Sequence, residues 1–564
     1  MLSRQHDRLP HPRRVRARQA EAAAAEATVR TARGDDAPAH RGVPRGESGP
    51  RRARGGDDCR AQTLTASSPP PAGTSRAYAA YVLGLLTVIN LFNYTDRNVI
   101  FALFEPIKRE LVLSDQQLGW LGSAYVIVLS LAALPLGVLG DLKSRRAVIA
   151  FGVGLWSAFT ALGATVSRFW QLLVCRSLVG VGEAGYGPAA QALLAEFFQG
   201  KPRAFALGVY SVGMAFGGVL GIWLGGVLAA RYGWRAAFVV LGVPGFLLAL
   251  LASRLREPRR RPPATIRATV VGWYTRGRVG AREAVRLGAP LIGLTLAGAG
   301  LSGALDLFLP RPRGLDTAVF AACVSIGIVW TVLRLVPVAV RRTSEATEVA
   351  ATAFGDFLQA AGTVLRTPTL IWMFVGGALV TFAVNGLIAW APSFLERTHG
   401  LPVAAVGRQF GVWGLAGGAL GALFGGRTGD WLLTRWSGGR VVVSGAGFVL
   451  GGPVCAALLL IDELRLFVPL LFGTFFLYSW YNGPLSAVIL DVVPAAVRAS
   501  VLGAYVLFSH LAGDAIAPPL IGYLSDRFGL RPAMLLLPTA GAVGGLVILI
   551  ALTTIGRDMQ RVRT

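Results

Sequence analysis

Charge is scarce in this chain. Only 15% of its 564 residues are Asp, Glu, Lys or Arg, against about 25% in an ordinary soluble domain. That is too little to cover a water-facing surface, which excludes a conventional soluble globular protein. Acidic residues are scarcer still, 30 against 55 Lys and Arg, for a formal net charge of +25. Cysteine is confined to Cys59, Cys175, Cys323 and Cys455, too few and too dispersed for a disulfide framework. What is abundant is apolar: 53% hydrophobic residues, with a mean hydropathy of +0.55. That fraction excludes disorder for most of the chain and fits a polytopic membrane protein whose positive charge lies outside the bilayer. A nucleic-acid binder would interleave its basic residues with polar sequence. Here long stretches carry almost no charge, so no nucleic-acid partner is expected.

The positive charge has two main stores. Residues 1–76 hold 15 Arg against 8 acidic residues, among many Ala, Gly and Pro. Apolar residues are too few there to bury a core, so a disordered, Arg-rich cytoplasmic tail is expected. No apolar run follows the Arg13-Arg14 pair, so no secretory signal is read. Residues 254–286 hold 10 Arg against 2 Glu and dominate a basic linker over 254–289. Short basic segments beside apolar spans mark the cytoplasmic side, so the chain must cross the membrane an even number of times between tail and linker.

Counting runs of about 20 apolar residues gives six spans before the linker: Ala77–Ile100, Gln117–Leu139, Ala147–Val166, Phe169–Phe197, Ala204–Ala229 and Trp234–Ala252. Their length reads as helix, since barrel strands would be shorter and alternating. These make a six-helix bundle over 77–253. Pro290–Leu309 and Thr317–Val340 form an expected inserted transmembrane hairpin within 290–340, followed by a linker over 341–367. A second six-helix bundle spans 368–556: Pro368–Phe394, Val403–Gly426, Val441–Leu460, Leu466–Val492, Ala499–Leu524 and Ala533–Thr554. Residues 557–564 make a short cytoplasmic tail, and both termini are placed in the cytoplasm.

The two halves carry a repeat. After the second span stands Gly137-Val-Leu-Gly140-Asp141, with Arg145 and Arg146 just beyond; after the second span of the later half stands Gly426-Arg-Thr-Gly429-Asp430, with Arg435 beyond. Glycines let helices approach closely, and an Asp at a helix end lies within reach of cations and a neighbouring helix N-terminus. Gly137, Asp141, Arg145, Arg146, Asp430 and Arg435 are therefore expected to latch the cytoplasmic helix ends together in one conformation. Duplicated halves are a mark of transporters.

On these loops the chain resembles the major facilitator superfamily. Gly137, Leu139, Gly140, Asp141, Arg145 and Arg146 match the family's loop signature, which departs here at Leu142 and Ser144. The glycine-rich fifth span, from Gly213 to Gly226, is similar to the family's antiporter-type helix but lacks its usual Pro. The resemblance covers roughly residues 77–256 and 368–556. It implies an all-α polytopic fold of two six-helix bundles around a midplane cavity, with the 290–340 hairpin as an extra.

Ionisable groups at membrane depth are costly and hence functional candidates. Asp96 and Arg97 are placed near the extracytoplasmic end of the first span. Arg176 and Glu183 lie two helical turns apart in the fourth, on one face. A Glu balanced between burial and a nearby Arg can take up and release a proton. The run Gly180-Val-Gly182-Glu-Ala-Gly185 reads as G-x-G-x-x-G, but it sits inside one apolar helix rather than between strand and helix, so helix packing is the reading preferred. His510 and Asp514 share a face of the eleventh span, where a His–carboxylate pair can titrate near neutrality. No further ligands cluster around them, so no metal is expected. Trp480, Tyr481 and Asn482 in span ten suit a cavity wall or core packing equally.

Asn93-Tyr-Thr-Asp96-Arg97, Arg176 to Glu183-Ala184, Ser509-His510-Leu-Ala-Gly513-Asp514 and the following Gly522, Ser525 and Asp526 together look like the spinster subgroup of that family. The resemblance implies proton-linked movement of lysophospholipids or sphingoid phosphates, with Glu183 and Asp96 as protonation sites. It also implies that Arg97, Arg176 and Glu183 line the cavity. Tyr186, His510 and Asp514 are read as further substrate contacts. The expectation is thus a proton-coupled secondary transporter, monomeric, in the plasma (inner) membrane if bacterial. No cofactor beyond the proton gradient and no enzymatic activity are expected. A multidrug or small organic anion carrier is the alternative.

Overall fold

The computed structural model describes residues 75–142, 145–199, 201–256, 360–494 and 497–563, with a few isolated helical positions between 294 and 323. Residues 1–74 of the tail, nearly all of the basic linker and of the 290–340 hairpin, and most of the 341–367 linker lie outside the described residues. Every regular element among those described is helical.

The first half comprises α1 (Arg76–Ala102), α2 (Phe104–Leu111), α3 (Asp115–Leu142), α4 (Arg145–Gly163), α5 (Phe169–Ala184), α6 (Tyr186–Phe197), α7 (Lys201–Tyr232) and α8 (Trp234–Ser253). The second half comprises α9 (Pro368–His399), α10 (Val403–Leu433), α11 (Gly439–Leu460), α12 (Leu464–Tyr478), α13 (Pro484–Asp491), α14 (Arg498–Ser509), α15 (Ala517–Phe528), α16 (Leu530–Met534), α17 (Leu536–Ile550) and α18 (Ile555–Arg563). Among the described residues, ten stretches are long and apolar enough to cross a membrane. The α5–α6 pair, which meets at Gly185, and the 31-residue α10 complete six crossings per half.

Besides the breaks at Gly185 and at Leu535, two crossings are interrupted by turns that are not α-helical. Ser479–Tyr481 is a 3-10 turn between α12 and α13. His510–Asp514 is a π-turn between α14 and α15; one extra residue per turn is a feature frequent at functional sites. Two helices stand where the sequence suggested none. The short α2 occupies the expected loop between spans one and two. The helix α18 replaces the tail expected over 557–564, and its buried Asp558 accepts from the Thr369 backbone N–H at the start of α9 (3.0 Å). Both helices are too short and too polar to register as spans.

We call the end where α8 finishes and α9 begins the linker end, and the other the distal end. The halves repeat each other at the distal end in a way the loop motif does not reveal. Arg231-Tyr-Gly233-Trp-Arg235 and Arg527-Phe-Gly529-Leu-Arg531 join equivalent crossings, and both glycines take a positive φ, 81° and 86°, which side chains with a Cβ rarely adopt. Arg235 donates to Glu110 and to the Val166 carbonyl, and Arg531 donates to Asp462. The Arg235 hydrogen bond holds the Glu110 carboxyl below the usual range.

The distal seam between halves is closed by backbone-to-backbone approach. A Cβ on Gly119 of α3 would lie 2.3 Å from the Pro518 carbonyl oxygen of α15, and one on Gly407 of α10 would lie 2.5 Å from Trp223 Cα of α7. Each glycine stands four residues after the start of its helix, so the seam follows the repeat. Methyl groups at Gly84, Gly208, Gly426 or Gly503, toward the linker end, would meet nothing within 4 Å. Gly119→Val is expected to wedge the distal seam and destabilise this conformation by about 1–3 kcal/mol, the usual overpacking cost, whereas Gly208→Val leaves it intact. Disulfide trapping across α3 and α15 reads the difference; equal trapping of both variants would contradict it.

Candidate functional site

A polar cluster lies at the middle of the first half. Asp96, on α1, is 3% exposed, and Arg176, on α5, is 1% exposed. Arg176 Nη1 stands 3.6 Å from Asp96 Oδ1, and the Thr160 hydroxyl of α4 donates to Asp96 Oδ2 at 2.6 Å. The sequence suggested a position near the membrane interface for Asp96 and Arg97. Both lie in the last two turns of α1, toward its distal end, and Asp96 is enclosed there by Arg176 of α5 and Thr160 of α4.

Tyr125 of α3 organises the rest. Its hydroxyl donates to Glu183 Oε2, and its ring lies 5.3 Å from the guanidinium carbons of both Arg97 and Arg176, within cation–π range. The two-turn spacing of Arg176 and Glu183 does put both on one face. Glu183 Oε1 and Arg176 Nε are buried with no hydrogen-bond partner among the described residues. The helix carrying them approaches closely because Gly180 and Gly182 have no side chain: a Cβ would stand 2.7 Å from Tyr125 O and from Trp156 N respectively. The G-x-G-x-x-G run therefore serves packing.

Arg97 reaches the other way. Its Nη2 lies 3.5 Å from Asp514 Oδ2 in the π-turn of the second half, and His510 Nδ1 lies 3.0 Å from the same oxygen. Arg97, Arg176, His510 and Asp514 line a cavity of about 260 Å³ together with Tyr94, Asn98, Tyr125, Asn385 and Pro518. Glu183 borders it through Tyr125. A larger recess of about 400 Å³ between α3 and α15 is apolar, lined by Trp120, Ile127, Leu511 and Ile516 among others. Tyr186 is placed elsewhere. It is 1% exposed, donates to the Leu86 carbonyl at 2.8 Å and packs on Trp156, away from the cavity wall. Trp480 packs against Phe424 and Phe476. Sequence reasoning missed Tyr125 and Thr160, since single hydroxyls inside apolar runs carry little signal.

A second cluster joins the halves at the distal end. Arg397 of α9 donates to Asp115 at 2.6 and 2.7 Å and to Glu105 of α2 at 2.8 Å. Asp115 also accepts from Lys108 and from the Ser525 hydroxyl, and Asp526 of α15 accepts from the backbone N–H groups of Asp115 and Gln116 at 2.8 and 2.9 Å. That carboxylate sits at the N-terminus of α3, where the exposed N–H groups favour an anion. Arg109 pairs with Glu396.

At the linker end the described ion pairs stay within one half. Arg145 donates to Glu196 at 2.7 Å and Arg146 to the Leu255 carbonyl at 3.2 Å. Asp430 pairs with Arg440 rather than with the expected Arg435, because α11 begins beside the end of α10 and brings Arg440 across to both Asp430 and Asp491. Arg435 instead lies 3.9 Å from the centre of the Trp431 ring. The surroundings of Gly137 and the side chain of Asp141 lie outside the described residues. The expected latch groups of the two halves are thus not paired with each other where they are described, while the distal cluster is assembled.

The chain matches the family model described as Major Facilitator Superfamily over residues 86–311 and again over 263–514. It is 26% identical over 464 residues to an MFS-type efflux pump of Mycolicibacterium smegmatis, covering 80% of this chain and 86% of that protein. Protein spinster homolog 3 of Danio rerio is 23% identical over 526 residues, covering 88% of this chain and 89% of its own length. In fold the chain is similar to the crystal structure of a bacterial homologue of the human lysosomal transporter spinster, in an inward-facing, unoccupied conformation. The TM-score is 0.64 at 22% identity, over 86% of this chain and 99% of that one. With two six-helix halves, a duplicated loop motif and a charged cavity between them, the chain belongs to the Major Facilitator Superfamily and is spinster-like within it.

Proposed function

We propose that this membrane transporter couples protons to the movement of an amphipathic anion, such as a lysophospholipid or sphingoid phosphate. The observation that carries the reading is the set of two arginines and three carboxylates gathered at one cavity between the halves, Arg97, Arg176 and Asp514 on its wall and Asp96 and Glu183 just behind it. Such groups are costly at membrane depth unless they serve a pathway. Arg97 and Arg176 hold the anionic head group. Glu183, with one oxygen unpartnered, and Asp96 take up and release protons as the cavity changes access. The linker end, where the basic segment leaves the membrane, faces the cytoplasm. The conformation described is then inward-facing, with the distal cluster as the closed outer gate and the Asp141 and Asp430 loops as the latch of the opposite state.

Purified protein in liposomes is expected to accumulate an anionic lysolipid when a proton gradient is imposed. Glu183→Gln should lose the response to the gradient and keep binding and exchange. An undiminished response in that variant removes Glu183 from the coupling role. The mycobacterial relative is named an efflux pump, and a multidrug or small organic anion carrier is the second reading. Competition separates the two: lysolipids displace a bound probe under the first reading, and organic cations or small acids do so under the second.

A further inference from the structure

Resting on the reading of the cavity as a head-group site, we propose that Asp514 is a built-in stand-in for the substrate's anion. It neutralises Arg97 in the empty site, a phosphate-bearing head group binds by displacing it, and His510 keeps the displaced carboxylate. The Asp514 oxygen that faces Arg97 at 3.5 Å is the one that His510 Nδ1 approaches at 3.0 Å. Among the described residues this is the ion pair that ties the two halves together at mid-membrane; the other cross-half pairs lie at the distal end.

The charges facing Asp514 come from several elements. Arg97 comes from α1, while Tyr125 of α3, beside Arg97, connects to Arg176 and Glu183 of α5. Tyr481 comes from the 3-10 turn, and His510 shares its own turn. Two guanidinium groups thus meet three carboxylates, Asp96, Glu183 and Asp514. Asp96 is engaged by Arg176 and Thr160, and Glu183 by Tyr125, which leaves Asp514 as the carboxylate committed to Arg97. The Arg97 side chain is 21% exposed, against 2% for that of Arg176, so Arg97 is the cation an incoming anion reaches first. It can be reached only in competition with Asp514, and this sets a threshold: a compact, strongly accepting anion such as a phosphate oxygen displaces the carboxylate, and a neutral head group does not. The π-turn makes the exchange local. It carries both His510 and Asp514 on the cavity wall, and Gly513 seats the turn on α9, where a Cβ would lie 2.4 Å from the Ala378 carbonyl oxygen.

The test uses the full chain in lipid nanodiscs, with 1-oleoyl-lysophosphatidylglycerol as anionic probe and mono-oleoylglycerol as neutral control. Asp514→Asn, and likewise Asp514→Ser, should bind the anionic probe about tenfold more tightly than the unmodified chain, as removal of a competing close charge predicts, and should bind the neutral one equally. Adding Arg97→Gln should abolish the gain. His510→Leu should weaken anionic binding in the unmodified background and change nothing once Asp514 is Asn. Unchanged or weaker anionic binding in both Asp514 variants overturns the inference. If no protein binds the lysolipid, the head-group reading fails, and inorganic pyrophosphate then decides the inference by itself. Thermal stabilisation by pyrophosphate should appear in Asp514→Asn and vanish with Arg97→Gln, and its absence overturns the displacement.

Discussion

Arg397→Ala is expected to open the distal seam and to arrest transport. Arg397 makes two hydrogen bonds to Asp115, whose side chain is 3% exposed, and one to Glu105, whose side chain is 8% exposed. Removing it leaves Asp115 with Lys108 and Ser525, and leaves Glu105 beside Glu396 with no bridging guanidinium. Breaking a buried pair by deleting one partner costs about 3–5 kcal/mol. The Arg397 side chain is 25% exposed, so solvent screening brings the expectation down to about 2–3 kcal/mol. This energy acts on the balance between two conformations, because the cluster joins α2 and α3 of one half to α9 and α15 of the other. Such a difference shifts a two-state ratio by roughly 30- to 150-fold. Spin labels at Val112→Cys and Glu463→Cys, one on each half at the distal end, should report a longer distance in the variant. Arg397→Lys keeps the charge but loses the planar fork, and its distance should fall between the two. A distance distribution unchanged in Arg397→Ala would show that glycine packing alone holds the seam.

Arg176→Ala is expected to be the most destabilising single change in the membrane core. Arg176 is 1% exposed and is the cation facing Asp96, itself 3% exposed. Its loss strands a carboxylate among α1, α4 and α5 at a cost of about 3–5 kcal/mol, a large fraction of an ordinary folding stability. The contact with the Tyr125 ring goes as well, which loosens the residue that positions Arg97 and Glu183. A buried ion pair can be replaced by apolar residues with little loss or even a gain. The double variant Arg176→Leu with Asp96→Asn should therefore regain thermal stability in detergent. It should not regain transport, since neither the cation nor the proton-exchanging carboxylate returns. Recovery of both would mean that the pair only joins helices.

Much of this protein was legible before any fold was known, and for one reason. In a chain with so little charge, each ionisable residue inside an apolar run stands out, because lipid penalises it. Asp96, Arg97, Arg176, Glu183, His510 and Asp514 stand out that way; Arg97, Arg176, His510 and Asp514 line the central cavity, and Asp96 and Glu183 lie behind its wall. The family followed from a short loop repeated in register. Element breaks were less legible. The Pro518-Pro519 pair suggests a kink in span eleven, which stands just before it as the π-turn at His510–Asp514, whereas the 3-10 turn at Ser479–Tyr481 lies within what reads as one continuous span.

Partnership was decided by the tertiary structure alone. Arg397 and Asp115 are 282 residues apart, and no local pattern relates them. They meet because the glycine seams at Gly119 and Gly407 set the distance between halves. Tyr125 became the centre of the site because Gly180 lets α5 close on it, and Asp430 chose Arg440 over the nearer-in-sequence Arg435 because α11 starts beside it. Burial in the membrane is a property of one residue and its neighbours along the chain, so sequence by itself determines it. Which charges neutralise one another depends on distances of a few ångströms between separate helices, and only packing sets those distances.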